Sequence, residues 1–345
     1  MALTVKIVGA GIIGLACARA LSARGVVCTV VDCAQPGRGA SWAAAGMLGA
    51  AYEAAASVDV HPSLYDLCAA SAALWPGFAE SLGEVGYSAG PTIAVGDPAV
   101  CTAFAARIAG RGAGVERQSE TRLVLPGDGH VDNRAVVEAL LAACAEDANI
   151  LRGSVSASTP VSREDADVIL VTAGWRTPDV LVAPGRKLSD FVPECRAISA
   201  VGGQMVSLGP VSGAPACTLR SGDLYIVPKR DRIIVGATVE PGRTSDATDA
   251  ASIARLLQRA VDLVPALADA PVIETWAGVR PGTPDHAPLI GLSSVAGIHL
   301  AAGHYRNGIL LAPITAEIVA RQICGEAPHP MAADFAPARF LPATA

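Results

Sequence analysis

"TVKIVGAGIIGLACARALSARGVVCTVVD", residues 4–32, reads as strand, tight turn, helix and second strand. Residues 4–8 are short, apolar and rich in β-branched side chains, as a buried strand requires. Gly9, Gly11 and Gly14 then follow in G-x-G-x-x-G spacing at the entry to a helix expected over 12–24, which Gly25 ends. A second strand is expected over 26–31, and Asp32 closes it. Each part has a physical reason. Gly9 makes the tight turn, Gly11 lets the backbone approach a pyrophosphate, and Gly14 lets helix and strand pack closely. Asp32 would accept hydrogen bonds from a ribose diol, and its charge would repel a 2′-phosphate. Strand, glycines, helix, strand and acid in this order imply a Rossmann-like, dinucleotide-binding α/β unit. Both nicotinamide and flavin dinucleotides use that fingerprint, so the cofactor is open at this point.

The rest of the composition narrows the classes. A chain of 345 residues exceeds the usual size of one compact domain, so two domains, or one with insertions, are expected. Hydrophobic residues make up 51%, charged residues 17%, and the net charge is −6, which leaves no basic face for nucleic acid. Nine cysteines are scattered singly, without CxxC pairs, and read as free thiols in a reducing compartment. Six dispersed histidines give no metal-ligand spacing, so no metal is expected. The apolar start is interrupted by glycines, and Arg19 and Arg24 follow its apolar core, unlike a signal peptide. No later window is long and apolar enough to span a bilayer. A cytoplasmic protein without a membrane partner is the expectation.

Along the chain no repeat or low-complexity tract occurs, which implies domains that share several chain crossings rather than one linker. Residues 61–82 look helical, with Leu64, Leu67, Leu74, Phe78 and Leu82 roughly on one face. "DNRAVVEALLAACAEDANI" (132–150) reads as another helix, followed by strand-like 151–157 and a buried parallel strand in "DVILVTAG" (167–174). Residues 199–239 change to alternating, turn-punctuated strands of an antiparallel sheet, and a helix is expected over 249–264.

"ASWAAAGMLG" (40–49) is small, apolar and nearly chargeless, which suits an ordinary buried helix and equally a backbone against which a flat ring can lie. On this segment, together with "YIVPKRDRIIVGATVEPG" (225–242), "WAGVRPGTPDHAPLIG" (276–291) and "GHYRNGILLAP" (303–313), the chain resembles the D-amino-acid oxidase superfamily of flavoproteins, and within it the branch that oxidises glycine. The resemblance implies FAD and a discontinuous fold. Its FAD-binding Rossmann-like domain would comprise 1–82, 130–185 and 273–345, and a mixed/antiparallel-sheet substrate domain would comprise 83–129 and 186–272. It further implies cofactor contacts from Gly9, Gly11, Ile12, Ile13, Gly14, Asp32, Cys33, Ala40, Ser41, Ala45, Gly46 and Met47, from the backbone of Val155, and from His304, Tyr305, Arg306, Asn307, Gly308, Ile309 and Leu310.

The substrate residues have their own chemistry. Arg280 in "GVRPGTPD" offers a planar fork that fits a carboxylate with two parallel hydrogen bonds. Tyr225 in "GDLYIVP" would donate its O–H to the same carboxylate. Asp223, two residues earlier, departs from the family pattern and its role is left open. Arg306 would touch the substrate, hold a lid, or form a salt bridge to an Asp or Glu. A helix starting near Arg306 to Gly308 would point backbone N–H groups and a positive dipole end at whatever precedes it. No residue has to act as general base if the amine enters neutral and the α-hydrogen leaves as hydride to flavin N5. The resemblance then implies oxidation of glycine and small amino acids with O2, giving imine or glyoxylate, ammonia and hydrogen peroxide. It also implies supply of glycine imine for the thiazole of thiamine, and a homo-oligomer. A D-amino-acid oxidase or dehydrogenase with another substrate or acceptor, a subunit that keeps FAD only for structure, and an NAD-dependent dehydrogenase are the rival readings.

Overall fold

The computed structural model describes residues 2–56, 59–154, 159–162 and 166–341. The chain divides into two compact units: residues 1–42, 136–200 and 280–345 form the first, and 43–135 and 201–279 the second. Each division of the chain falls inside a helix or strand, at Ala40–Ala43, Asn133–Glu146, Ser199–Leu208 and Val272–Gly282, so no single linker joins them.

The first unit is built on a six-stranded sheet in the order Leu289–Leu292, Ile298–Ala302, Val168–Val171, Thr4–Val8, Val27–Asp32, Ile150–Ser154. Thr4–Val8 pairs in parallel on both sides, with Val8 opposite Val31 in one neighbour and Val171 in the other. Only Leu289–Leu292 runs against its neighbour. Parallel central strands are covered on both faces and therefore read as almost continuous apolar runs. Val8, Val31, Ile169, Val171 and Leu300 belong to one buried cluster, while Ile7 and Leu15 are fully buried as well. Helix Ile12–Ser22 packs against helix Ala312–Ile323, and Arg24 ties that pairing with ion pairs to Glu317 (3.0 Å) and Glu326 (2.7 Å). Ile298–Ala302 is parallel to Val168–Val171, so the chain leaves it at the same sheet edge where Val8 enters Gly9. That edge, outside the carboxyl ends of the strands, is where open α/β sheets bind ligands.

The second unit is a nine-stranded mixed sheet. Ser199–Leu208, Ile233–Gly236, Leu224–Pro228 and Thr218–Ser221 are successive antiparallel neighbours, and Thr92–Val95 joins in parallel beside Thr218–Ser221. Alternation along these strands sorts side chains to two faces. Val206, Leu219, Ile226, Val235 and Leu208 go to the cluster that packs on helix Ala250–Leu263. Asp249 caps that helix, its carboxylate accepting the Ser252 N–H at 2.8 Å, worth about 1 kcal/mol. Met205, Tyr225, Val227 and Ile234 go to the other face, with Ala43, Ala45, Met47 and Trp276.

Several expectations are corrected. Residues 43–82 and 130–135, expected in the nucleotide-binding domain, cluster with the mixed sheet, because Asp128 holds the start of Ala50–Ala56 and Met47 and Leu48 pair with His130 and Gly129. Residues 186–200, expected in the substrate domain, cluster with the six-stranded sheet, where Leu188, Val192, Cys195 and Ile198 join its core. The further boundary expected at 273 falls at 279/280. Helix Leu64–Glu80 buries Leu64, Leu67, Cys68, Ser71, Trp75 and Ala79, whereas Leu74 is 43% exposed. The stripe advances in steps of three and four residues, so the largest ring sets the buried face one position beyond Leu74. Val155 lies outside the described residues. All nine cysteines are free. Among the described residues no group of three or more His, Cys, Asp or Glu is placed to hold a metal, and no helix is long and apolar enough to cross a membrane.

Candidate functional site

In the first unit the glycine turn is built by close packing. Gly9 has φ +116°, and a Cβ there would stand 2.6 Å from the Thr172 carbonyl oxygen. A Cβ on Gly14 would stand 2.0 Å from the Gly9 carbonyl oxygen, and Thr172 Oγ1 donates to that same oxygen at 2.8 Å. Thr172 thus clamps the turn from the neighbouring strand, a role the sequence reading missed. Its position directly after "DVILV" was the available signal.

Gly11 is the N-cap of helix Ile12–Ser22 and has no side chain to cap it. Ser41 Oγ accepts the Ile12 N–H at 3.0 Å, which brings Ser41 to the helix entry. Asp32 turns one oxygen to the Ala10 N–H (2.7 Å) and the other to the Ala34 N–H (2.9 Å), which fixes its carboxylate at the rim of the turn. Ile13 is buried in the helix, while Cys33 and Ala40 are exposed beyond the strand and beside Ser41. A side-chain-free turn, a helix N-terminus and a fixed carboxylate form a donor and acceptor set that fits the phosphates and ribose of a dinucleotide.

Residues 303–311 leave the same sheet edge. The helix here starts at Ala312, not near Arg306 to Gly308. Tyr305 has φ +49°, outside the helical range, and its N–H is drawn to the Pro281 carbonyl (2.8 Å), so the chain turns before it can coil. Within the turn the Asn307 N–H donates to His304 O (2.9 Å) and the Leu311 N–H to Asn307 O (2.8 Å). His304 is buried, its Nε2 lies 3.0 Å from Thr315 Oγ1, and burial pushes the imidazole down to about 3. It is therefore a neutral, inward-facing strut. Asn307, Ile309 and Leu310 are buried, and Tyr305, Arg306 and Gly308 are partly exposed. The Pro281 contact places this turn beside Arg280, which ends partly exposed on strand Val272–Gly282. The ring of Tyr305 lies 4.8 Å from that of His286, another residue with positive φ (58°).

In the second unit Ala45, Met47 and Tyr225, named from separate stretches of sequence, meet in one apolar cluster. Tyr225 is 5% exposed and sits opposite Gly236, where a Cβ would fall 2.2 Å from the tyrosine ring. The missing side chain makes room for the ring. Asp223 lies in the exposed turn before the strand. Gly46 has φ +74°, and a Cβ would stand 2.2 Å from Val131 O and 3.1 Å from Lys229 Nζ. Lys229 Nζ donates to Ala45 O (2.8 Å) and to Val131 O, and burial pushes its amine down to about 7. Trp276 Nε1 donates to Ala43 O (3.0 Å), and Arg134 joins Trp276 to Glu274. Sequence reading did not single out Lys229. Its place four residues after Tyr225, on the same alternating series, was the signal.

The profile of the FAD-dependent oxidoreductase (DAO) family matches residues 4–322. The chain is 33% identical to the bifunctional protein ThiO/ThiG of Nostoc sp., over 96% of this chain and 54% of the relative. It is 32% identical to the glycine oxidase of Geobacillus kaustophilus, over 92% of this chain and 91% of that one. The crystal structure of glycine oxidase from Geobacillus kaustophilus superposes with a TM-score of 0.86 at 28% identity, covering 98% of this chain and 99% of the other. The chain spans about a third to a half of the length of the ThiO/ThiG relatives it matches, with 34%, 54% and 55% of three of them covered. With the glycine turn, the Asp32 rim and the mixed sheet in place, this chain belongs to the family of FAD-dependent oxidoreductases.

Proposed function

We propose that the protein oxidises glycine and small amino acids with FAD, passing electrons to dioxygen and yielding glyoxylate, ammonia and hydrogen peroxide. The product imine of glycine, before hydrolysis, would serve thiazole formation in thiamine synthesis. The observation that carries the reading is the meeting of Tyr225 with Ala45 and Met47 in one apolar cluster, because it joins a carboxylate donor to the segment whose likeness to the family implies flavin contact. The glycine oxidase of Geobacillus kaustophilus, similar along nearly its whole length, supports the choice of substrate.

The chain's own groups have distinct tasks in this reading. Gly9, Gly11, Gly14 and Ser41 hold the pyrophosphate turn, and Asp32 takes the ribose hydroxyls. Ala45, Gly46 and Met47, fixed from behind by Lys229, offer a flat backbone surface to the ring system. Bound FAD supplies the two-electron acceptor for a hydride leaving the substrate α-carbon. Arg280 receives the substrate carboxylate in its planar fork, and the Tyr225 hydroxyl donates to the same group. Arg306 makes a second contact with the substrate. His304, neutral and bonded to Thr315, positions the turn rather than moving a proton. Orientation of a neutral amine then does the chemical work without a general base. A protein of this kind is suited to a soluble, homo-oligomeric enzyme of the cytoplasm.

The test is an anaerobic visible spectrum of the FAD-loaded protein titrated with glycine, sarcosine, small D-amino acids and methylamine. Glycine should bleach the flavin and methylamine should do so far less well. Bleaching only by a bulkier amino acid would move the assignment to another member of the family. Bleached protein that fails to recover its colour in air would point to a different electron acceptor. No bleaching by any amine would end the reading.

A further inference from the structure

Among the described residues only two other than glycines take a positive φ, His286 (58°) and Tyr305 (49°). Their rings meet, with centroids 4.8 Å apart and planes tilted by 40°. A side chain in the left-handed region strains the backbone, and such strain persists where the surroundings over-determine the conformation. On the His286 side the N–H of that residue donates to the Thr283 carbonyl (3.1 Å) and Thr283 Oγ1 donates to Ala287 O (2.8 Å). Arg339 grips the same turn, donating to Asp285 Oδ2 (2.9 Å) and to Ala287 O (2.9 Å). On the other side the Tyr305 N–H donates to Pro281 O, and a Cβ on Gly303 would stand 2.7 Å from Thr283 Cγ2.

The ring pair therefore joins a pinned turn, 283–287, to the turn at 303–307, and each side of the junction adjoins an arginine. Arg280 immediately precedes Pro281, and Arg306 immediately follows Tyr305. The hydrogen bond from Tyr305 to Pro281 fixes the two backbones at one point, about which the later turn could still pivot. The ring contact supplies a second point, and two points fix an orientation. A carboxylate received by two guanidiniums needs that orientation held, since a misplacement of about 1 Å can cost on the order of a hundredfold. The local fold does not itself call for a ring at 286: the residue is partly exposed, and glycine would take its φ without strain.

We propose that His286 is a positioning residue for the substrate carboxylate, acting through the ring of Tyr305 to hold Arg306 in register with Arg280. The inference rests on the reading above, in which both arginines contact the substrate.

Three variants of the FAD-loaded protein test this. His286→Gly removes the ring and relieves the strain, so its thermal midpoint and FAD content should stay close to the parent's. Its dissociation constant for acetate, a carboxylate without an amine, should nonetheless rise by about tenfold, because the freed turn must be ordered on binding. Calorimetry and the flavin difference spectrum read that constant. KM for glycine should rise by a similar factor with kcat little changed, as when an interaction shared by ground and transition states is lost. His286→Phe, which keeps a ring without ring nitrogens, should return both constants close to the parent's. His286→Asn, which tolerates positive φ without a ring, should match the glycine variant. Acetate binding unchanged in His286→Gly would overturn the proposal, as would failure of the phenylalanine to restore it, or a loss confined to kcat. Unfolding or loss of FAD in both His286→Gly and His286→Asn would overturn it too, by making the residue purely structural. If glycine bleaches the parent but the variants behave in any of these ways, this inference alone falls; if glycine neither bleaches the parent nor competes with acetate, the functional reading falls and takes the inference with it.

Discussion

Replacing Lys229 by methionine should flatten one limb of the dependence of stability on pH. In the native protein the amine is turned onto the carbonyls of Ala45 and Val131, and burial pushes it from 10.5 down to about 7. The folded value lies below the unfolded one, so between about pH 7 and 10.5 the unfolded chain holds a proton that the folded chain has lost. Stability therefore rises with pH across that window, is fully gained above 10.5, and is lost as pH falls through about 7. At roughly 1.4 kcal/mol per pH unit the whole gain is at most about 5 kcal/mol, because the partly exposed residue keeps some solvent screening. Between pH 6 and pH 9 the same arithmetic gives up to about 3 kcal/mol. Methionine strands two carbonyls, each costing about 1–3 kcal/mol, but that loss does not vary with pH. Urea unfolding of the FAD-saturated parent and variant at the two pH values isolates the amine, since the other titrating groups are common to both. The parent's advantage over the variant should grow by about 2–3 kcal/mol at the higher pH. Parallel profiles would refute the assignment of a buried, readily neutralised amine.

Further outcomes concern cofactor, substrate and acid stability. Gly11→Val should purify largely as apoprotein, since a Cβ at this position already stands 3.2 Å from Ser41 Oγ and branching fills the approach to the helix entry; the ratio of flavin to protein absorbance checks it. Arg280→Ala should weaken kcat/KM for glycine by on the order of a hundredfold and Tyr225→Phe by about tenfold, with Arg280→Lys recovering only part, in steady-state kinetics at full FAD occupancy. His304 is held at about 3 against 6.5 unfolded, so its contribution is present above about 6.5 and lost as pH falls toward 3. His304→Gln should accordingly show a shallower loss of stability on acidification in denaturant titrations.

The sequence by itself determined the elements whose signals are local. Residues 4–32 announce strand, turn, helix and strand because apolar periodicity, glycine spacing and a terminal acid lie within one short span, and Val27–Asp32 ends at the expected carboxylate. The antiparallel strands of 199–239 and a helix near 249–264 were legible for the same reason. Resemblance to a family, rather than spacing, supplied Arg280, Tyr225 and the flavin segment as candidates. Tertiary structure decided what depends on partners far along the chain. The start of helix Ala312–Ile323 is set by a bond from Tyr305 to Pro281, and the buried face of Leu64–Glu80 by the burial of Trp75. Lys229 gains its role only by reaching Ala45 and Val131, which are 184 and 98 residues away, and Arg220 is paired only through Glu53, at a separation of 167 residues. A periodic pattern states that one side of an element will be buried. Which group it meets there, and whether a buried charge finds a partner, is settled by long-range packing, for which a single sequence carries no local signal.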